Sequence, residues 1–237
     1  MLVLGFDTAT PAVSVAVHDG ARVVGEAFAV DARRHGELLT PMIAKVMADA
    51  GAARAALTAV AVGVGPGPYT GLRVGVVTAR VLGAVLGIPV HGVCTLDLIA
   101  AAVPAIPAGG FLVATDARRK EVYWARYDGH GRRVAGPLVG PAASIPGAAE
   151  LTVAGTGGQL YPEAFGAATG PAYPQARTLC EIVAAQLAAR SGQEPARARD
   201  GATPATWAQT PLLAAEPLYL RRPDARVPGP PKRVTPS

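Results

Sequence analysis

Residues 63–71, Gly-Val-Gly-Pro-Gly-Pro-Tyr-Thr-Gly, join a β-branched apolar run to a helical segment that continues without a breaker to Leu86. Glycines here let the backbone turn tightly and leave amides free at a helix start, an arrangement that can hold an anion. The string lacks the Lys-Ser/Thr ending of a P-loop, and no acidic residue closes the next strand as a ribose ligand would. A Pro/Gly-stiffened turn that sets the helix close to its sheet is therefore favoured over a phosphate loop.

The helix is more informative than the turn. At about 100° per residue its only charges, Arg73 and Arg80, fall in one narrow strip. One flank carries Val74, Val77, Val81 and Val85, and the other carries Gly75, Ala79 and Gly83 among Leu72, Val76, Leu82 and Leu86. A helix outside a two-layer domain needs one apolar face, so a second face calls for another element or another protein. Leu38, Leu39, Met42, Ile43, Val46 and Met47 form a second helix that could cover it, but its own stripe is broad. The pattern favours a helical interface built from Leu38, Leu39, Met42, Ile43 and Val46 with Leu72, Arg73, Val76, Ala79, Arg80 and Gly83. The Gly/Ala stripe is expected to permit close helix-on-helix approach.

Around these helices the chain alternates strands and helices. Leu2–Phe6, Val13–Val17 and Arg22–Val30 read as a three-strand meander, Thr58–Val64 and Ile88–Val93 as further strands. Pro41 is placed in the first turn of its helix, His35 at that helix's head as a capping contact, and Thr95 as the cap of a short helix to Val103. The breakers in 103–110 read as a boundary. Phe111–Thr115 and Glu121–Tyr127 then form a hairpin, Leu151–Ala154 a buried strand and Thr178–Arg190 a helix. Residues 193–210 read as a surface excursion and Pro217–Arg221 as the last ordered segment. The expected division is 1–104, 105–222 and a disordered basic tail, 223–237. Two halves that each begin with antiparallel strands and run into helices imply a duplicated α/β unit.

Composition narrows the function classes. Half of the 237 residues are hydrophobic, 16% are charged and mean hydropathy is +0.29, yet the apolar stretches are interrupted by Arg80, Pro89, His91 and Asp97. Neither a membrane span nor a signal peptide is expected. Cys94 and Cys180 lie far apart, which fits a reduced, cytoplasmic setting and no zinc site. The four histidines lack metal-ligand spacing and there is no G-x-S-x-G elbow, which argues against zinc and serine hydrolases. The net charge of +5 is concentrated toward the Pro-rich end.

Five strings carry a resemblance: Phe6-Asp-Thr-Ala-Thr10, His35-Gly-Glu-Leu-Leu-Thr-Pro41, Gly65-Pro-Gly-Pro-Tyr-Thr-Gly-Leu-Arg-Val-Gly75, Asp116-Ala-Arg118 with Glu121-Val-Tyr-Trp-Ala125, and Pro217-Leu-Tyr-Leu-Arg221. Together they resemble the TsaB (YeaZ) family. The resemblance implies an α/β fold of the duplicated actin/Hsp70/sugar-kinase (ASKHA) type, with two subdomains whose mixed sheets are flanked by helices. It implies a non-catalytic subunit of the complex that places threonylcarbamoyl on the adenosine 3′ of the tRNA anticodon. The implied partners are a TsaD homologue, a TsaE-type ATPase, tRNA through the complex, and a second copy when the chain is isolated. ATP or ADP at the interface between subunits is the cofactor that this resemblance admits, and no metal is assigned to the chain.

In that architecture Asp7, with Thr8 beside it, and Asp116 stand where carboxylates meet Mg²⁺-bound water, and Gly157 and Gly158 resemble an adenosine turn. Ala9-Thr-Pro11 and Ala117-Arg-Arg119 follow the two aspartates where glycines would be needed to close on phosphates. The residues thus read as a degraded nucleotide site. The reading from another class is an ATP-dependent phosphotransferase of the same architecture.

Overall fold

The computed structural model describes residues 1–192 and 210–221. Strands β1 (Val3–Asp7), β2 (Ala12–His18) and β3 (Val23–Val30) form an antiparallel meander. Helix α1 (His35–Asp49) leads to β4 (Ala59–Gly63), which lies parallel to β1. Helix α2 (Tyr69–Leu86) then leads to β5 (Val90–Val93), parallel to β4. The sheet order is β3-β2-β1-β4-β5.

β1, β2 and β4 are buried along their whole length, so their alternating side chains feed two cores. Leu4, Phe6, Val60 and Val62 meet Leu39, Val46, Leu72 and Val76 of α1 and α2. On the opposite face Val3, Ala16, Ala59 and Ala61 meet Leu179, Ile182 and Val183. Those last three belong to α5 (Ala176–Arg190), which follows the second sheet in sequence but packs on the first. Gly5 and Cys180 meet at this contact, where a Cβ at Gly5 would overlap the Cys180 sulfur.

The second sheet repeats the first three strands and the crossover. β6 (Phe111–Asp116), β7 (Glu121–Tyr127) and β8 (Arg133–Pro141) are antiparallel, β9 (Thr152–Ala154) is parallel to β6, and the order is β8-β7-β6-β9. Helix α3 (Thr95–Ala101) joins the sheets, packing Leu96 and Ile99 with Phe111, Val113 and Tyr127. Helix α4 (Gly157–Leu160) follows β9.

Four local expectations change. β8 is absent from the sequence reading because Gly136, Pro137, Gly140 and Pro141 interrupt it; it is an edge strand, where a missing N–H is tolerated. Pro41 lies inside α1, beyond the first turn, on an exposed position. Thr95 does not cap α3: Cys94 holds the N-cap position and the Thr95 side chain turns to Asp7. His35 opens α1 but does not cap it; buried, its Nε2 lies 2.7 Å from the Thr10 carbonyl, which accepts its proton. Residues 193–209 and the tail 223–237 lie outside the described residues.

Candidate functional site: a closed carboxylate and an open valine ridge

Asp7 ends β1 fully buried. Its Oδ1 accepts the Ala9 N–H at 2.8 Å and its Oδ2 accepts the Thr95 hydroxyl at 2.7 Å. Thr95 Oγ1 in turn accepts the Gly65 N–H at 3.1 Å. The carboxylate sits directly against Gly63, where any Cβ would overlap it. Burial pushes its pKa up to about 6, against the lowering effect of Thr95, Ala9 and His35. Both oxygens therefore tie β1, the 63–71 turn and α3 together.

Thr8 is committed in the same way. Its hydroxyl donates to the Gly71 carbonyl at 2.7 Å and accepts the Gly75 N–H at 3.0 Å, clamping the first turns of α2 to β1. Asp116 ends β6, and the Arg118 N–H and guanidinium occupy its two oxygens at 2.7 and 3.3 Å. The turn that presents Arg118 holds Arg118, Arg119 and Lys120 at φ 62°, 56° and 62°, a left-handed run that costs energy for side chains with a Cβ. Gly157 and Gly158 pack against Ala114 and Val153, so their lack of a side chain lets α4 lie on β6 and β9. These five residues do not form one open constellation. Both aspartates are internally satisfied and the glycines serve packing, while among the described residues no group of three His, Cys, Asp or Glu could hold a metal.

A cleft does separate the two halves beside these residues. One hollow of about 250 Å³ is lined by Thr8, Thr10, Arg33, His35, Tyr69 and Arg118, and an adjoining one of about 190 Å³ by Tyr69, Arg118, Arg119, Tyr123 and Arg221. Tyr69 stacks on Tyr219 at 4.9 Å between centroids, and the Arg73 guanidinium lies 4.1 Å over the Tyr69 ring. The Arg221 guanidinium pairs with Glu121 and donates to the Ala117 carbonyl, fixing the end of the described chain across the hairpin.

The outer surface of α2 presents the larger anomaly. Val77, Val81 and Val85 are 56%, 54% and 76% exposed, one helical turn apart. Beside this ridge, between α1 and α2, lies an apolar hollow of about 440 Å³ lined by Ile43, Ala44, Met47, Ala52, Thr78 and Leu82. A ridge of small branched side chains next to a groove is a helix-packing surface. The helix is long and apolar enough to cross a membrane by length and composition, but Leu72, Val76 and Ala79 are fully committed to the core.

That commitment corrects the interface read from the sequence. Leu39, Val46, Leu72, Val76, Ala79 and Gly83 are buried within the chain and cannot face a partner. The Gly71, Gly75, Ala79, Gly83 stripe brings α2 close to the sheet rather than to a second helix: a Cβ at Gly71 would lie 2.6 Å from the Thr8 carbonyl, and one at Gly83 would overlap Val90. Leu38, Met42 and Ile43 are partly buried and Arg73 and Arg80 exposed, so these remain at the outer surface. The wheel separates two apolar flanks but cannot tell which one meets the sheet; the spacing of the small residues holds that signal.

Two sheets sharing the order 3-2-1-4, each a meander followed by a parallel crossover, define a duplicated α/β protein of the actin/Hsp70/sugar-kinase type. Residues 25–164 match the family model described as TsaD, tRNA N6-adenosine threonylcarbamoyltransferase. The chain belongs to this family, on its TsaB (YeaZ) branch. It is 37% identical over 129 residues to the Escherichia coli tRNA threonylcarbamoyladenosine biosynthesis protein TsaB, covering 54% of this chain and 55% of that one. An uncharacterized protein of Mycobacterium tuberculosis is 44% identical over 229 residues, covering 94% and 93%. The solved structure of YeaZ from Pseudomonas aeruginosa superposes with a TM-score of 0.68 at 30% identity, covering 92% of this chain and 99% of that one.

Proposed function

We propose that the chain is a non-catalytic subunit of the cytoplasmic complex that transfers threonylcarbamoyl from threonylcarbamoyl-AMP to the adenosine 3′ of the tRNA anticodon, and that it acts by docking to a TsaD-type subunit. The observation that carries this reading is the exposed Val77, Val81, Val85 ridge beside the hollow of Ile43, Met47 and Leu82. A ridge next to a groove is self-complementary, so two chains of one fold can pair through the same surface about a two-fold axis. Since this chain matches the TsaD family model over residues 25–164, a TsaD subunit has the architecture for such a pseudo-symmetric pair, and a second copy is the natural substitute when TsaD is absent.

The closed Asp7 supports the assignment of chemistry to the partner. A carboxylate whose oxygens hold the Ala9 amide and the Thr95 hydroxyl has no open side for a hydrated magnesium ion. ATP or ADP then belongs between subunits, a TsaE-type ATPase acts on the assembled pair, and tRNA is met through the complex. Purified chain, a TsaD homologue and the ATPase are combined with tRNA and threonylcarbamoyl-AMP. The expected result is modification that requires this chain, with no nucleotide turnover by the chain alone; ATP turnover by the isolated chain that Asp7→Asn abolishes would refute it.

A further inference from the structure

A second polar cluster lies away from the cleft and the valine ridge, where α3 meets the ends of β7 and β8. Asp97, 5% exposed, accepts the Tyr127 hydroxyl on Oδ1 at 2.7 Å, and the Arg133 Nε lies 3.6 Å from the same oxygen. Its other oxygen, Oδ2, is buried without a hydrogen-bond partner. An orphaned carboxylate oxygen is expensive in a low-dielectric site and marks a place where a missing donor belongs. Burial raises the Asp97 pKa while Arg133 and Tyr127 oppose the rise, so the protein itself only partly compensates this charge.

Beside the same carboxylate a donor is underused. Of the five N–H groups that a guanidinium carries, Arg133 donates one to Cys94 Sγ at 3.5 Å. Asp97, Tyr127, Arg132 and Arg133 together line a cavity of about 320 Å³, at the lower end of the range of roughly 300–1,000 Å³ for small-molecule sites. The charges in and beside it balance, Asp97 against Arg133 and Asp128 against Arg132, whose Nη2 lies 2.8 Å from its partner. A ligand of net charge would leave one charge uncompensated, whereas a ligand carrying both signs a few ångströms apart would complete both half-satisfied groups.

We propose that this cavity binds a small zwitterion of the α-amino-acid class, with its ammonium group on the Asp97 carboxylate and its carboxylate on the Arg133 guanidinium. The site is independent of the docking surface and of the chemistry assigned to the TsaD-type partner. The test is isothermal titration of the full chain with glycine, alanine and threonine, and separately with methylammonium and with acetate. At least one amino acid is expected to bind with a Kd tenfold or more below those of the two single-charge probes. In Asp97→Asn and in Arg133→Met the affinity is expected to fall at least tenfold. Absence of amino-acid binding to the wild-type chain overturns the proposal whatever the variants do. Equal binding of methylammonium or acetate, or undiminished binding in a folded variant, overturns it as well.

Discussion

The Thr95 hydroxyl donates to Asp7 Oδ2 at 2.7 Å, a bond that joins residues 88 positions apart and holds the start of α3 against the end of β1. The carboxylate that an active phosphotransferase of this architecture would turn toward metal and phosphate is here a structural acceptor inside the core. Its pKa of about 6, set chiefly by desolvation, exceeds the unfolded value of 3.8. Between those values the folded state binds more protons than the unfolded one, so this group's contribution to stability falls as pH rises through that window. The term is on the order of 3 kcal/mol. Denaturant midpoints of the wild-type chain and Asp7→Asn, compared from pH 4 to pH 7.5, are expected to converge toward the acid end and to shift in the variant's favour toward neutrality.

Gly63 lies against that same carboxylate, with no space for a methyl group. Gly63→Ala is expected to lower stability by about 3 kcal/mol, the upper range for overpacking, because backbone and a hydrogen-bonded acid must both move. For a chain of this size that is roughly 6–12 °C in Tm, read by calorimetry. Gly36→Ala, at a position with open space, serves as the comparison and is expected to change Tm by less than about 2 °C.

Tyr219 stacks on Tyr69 and its hydroxyl accepts the Arg73 Nε–H at 3.1 Å, so the end of the described chain is held to the start of α2. Tyr219→Ala is expected to cost about 1–2 kcal/mol, the worth of an aromatic pair and one exposed hydrogen bond. Tyr219→Phe retains the ring contact and is expected to lose less than half of that. Urea denaturation of the two variants separates the contributions.

Much of this fold is legible in the sequence because its strands obey simple rules. The apolar runs Leu2–Phe6 and Thr58–Val64 read as strands, and the strands found there, Val3–Asp7 and Ala59–Gly63, are buried on both faces. The Gly63–Gly71 string is legible as a stiff turn because glycine and proline act locally. β8 is not, since an edge strand can carry Gly136, Pro137 and Pro141 without losing ladder bonds that it never makes. Nor does chain order reveal that α5 returns to the first sheet.

The candidate site is legible only in outline. Asp7 and Asp116 can be picked from their positions at strand ends, but whether a carboxylate is open depends on distant residues such as Thr95. The two flanks of α2 are equally apolar, and the sheet takes the one with the small residues because close helix-to-sheet approach needs Gly75, Ala79 and Gly83 there. Asp97, Tyr127 and Arg133 carry no sequence pattern, since they come from a helix and two strands.

The docking surface is tested most directly by measuring affinity for a TsaD homologue with the wild-type chain and with Val81→Glu, a change at a residue 54% exposed. Burying an unpaired carboxylate at the centre of an apolar interface costs about 3 kcal/mol or more, so the account predicts at least a hundredfold rise in Kd with an unchanged Tm of the isolated chain. Undiminished binding of Val81→Glu, together with full support of tRNA modification, would contradict it.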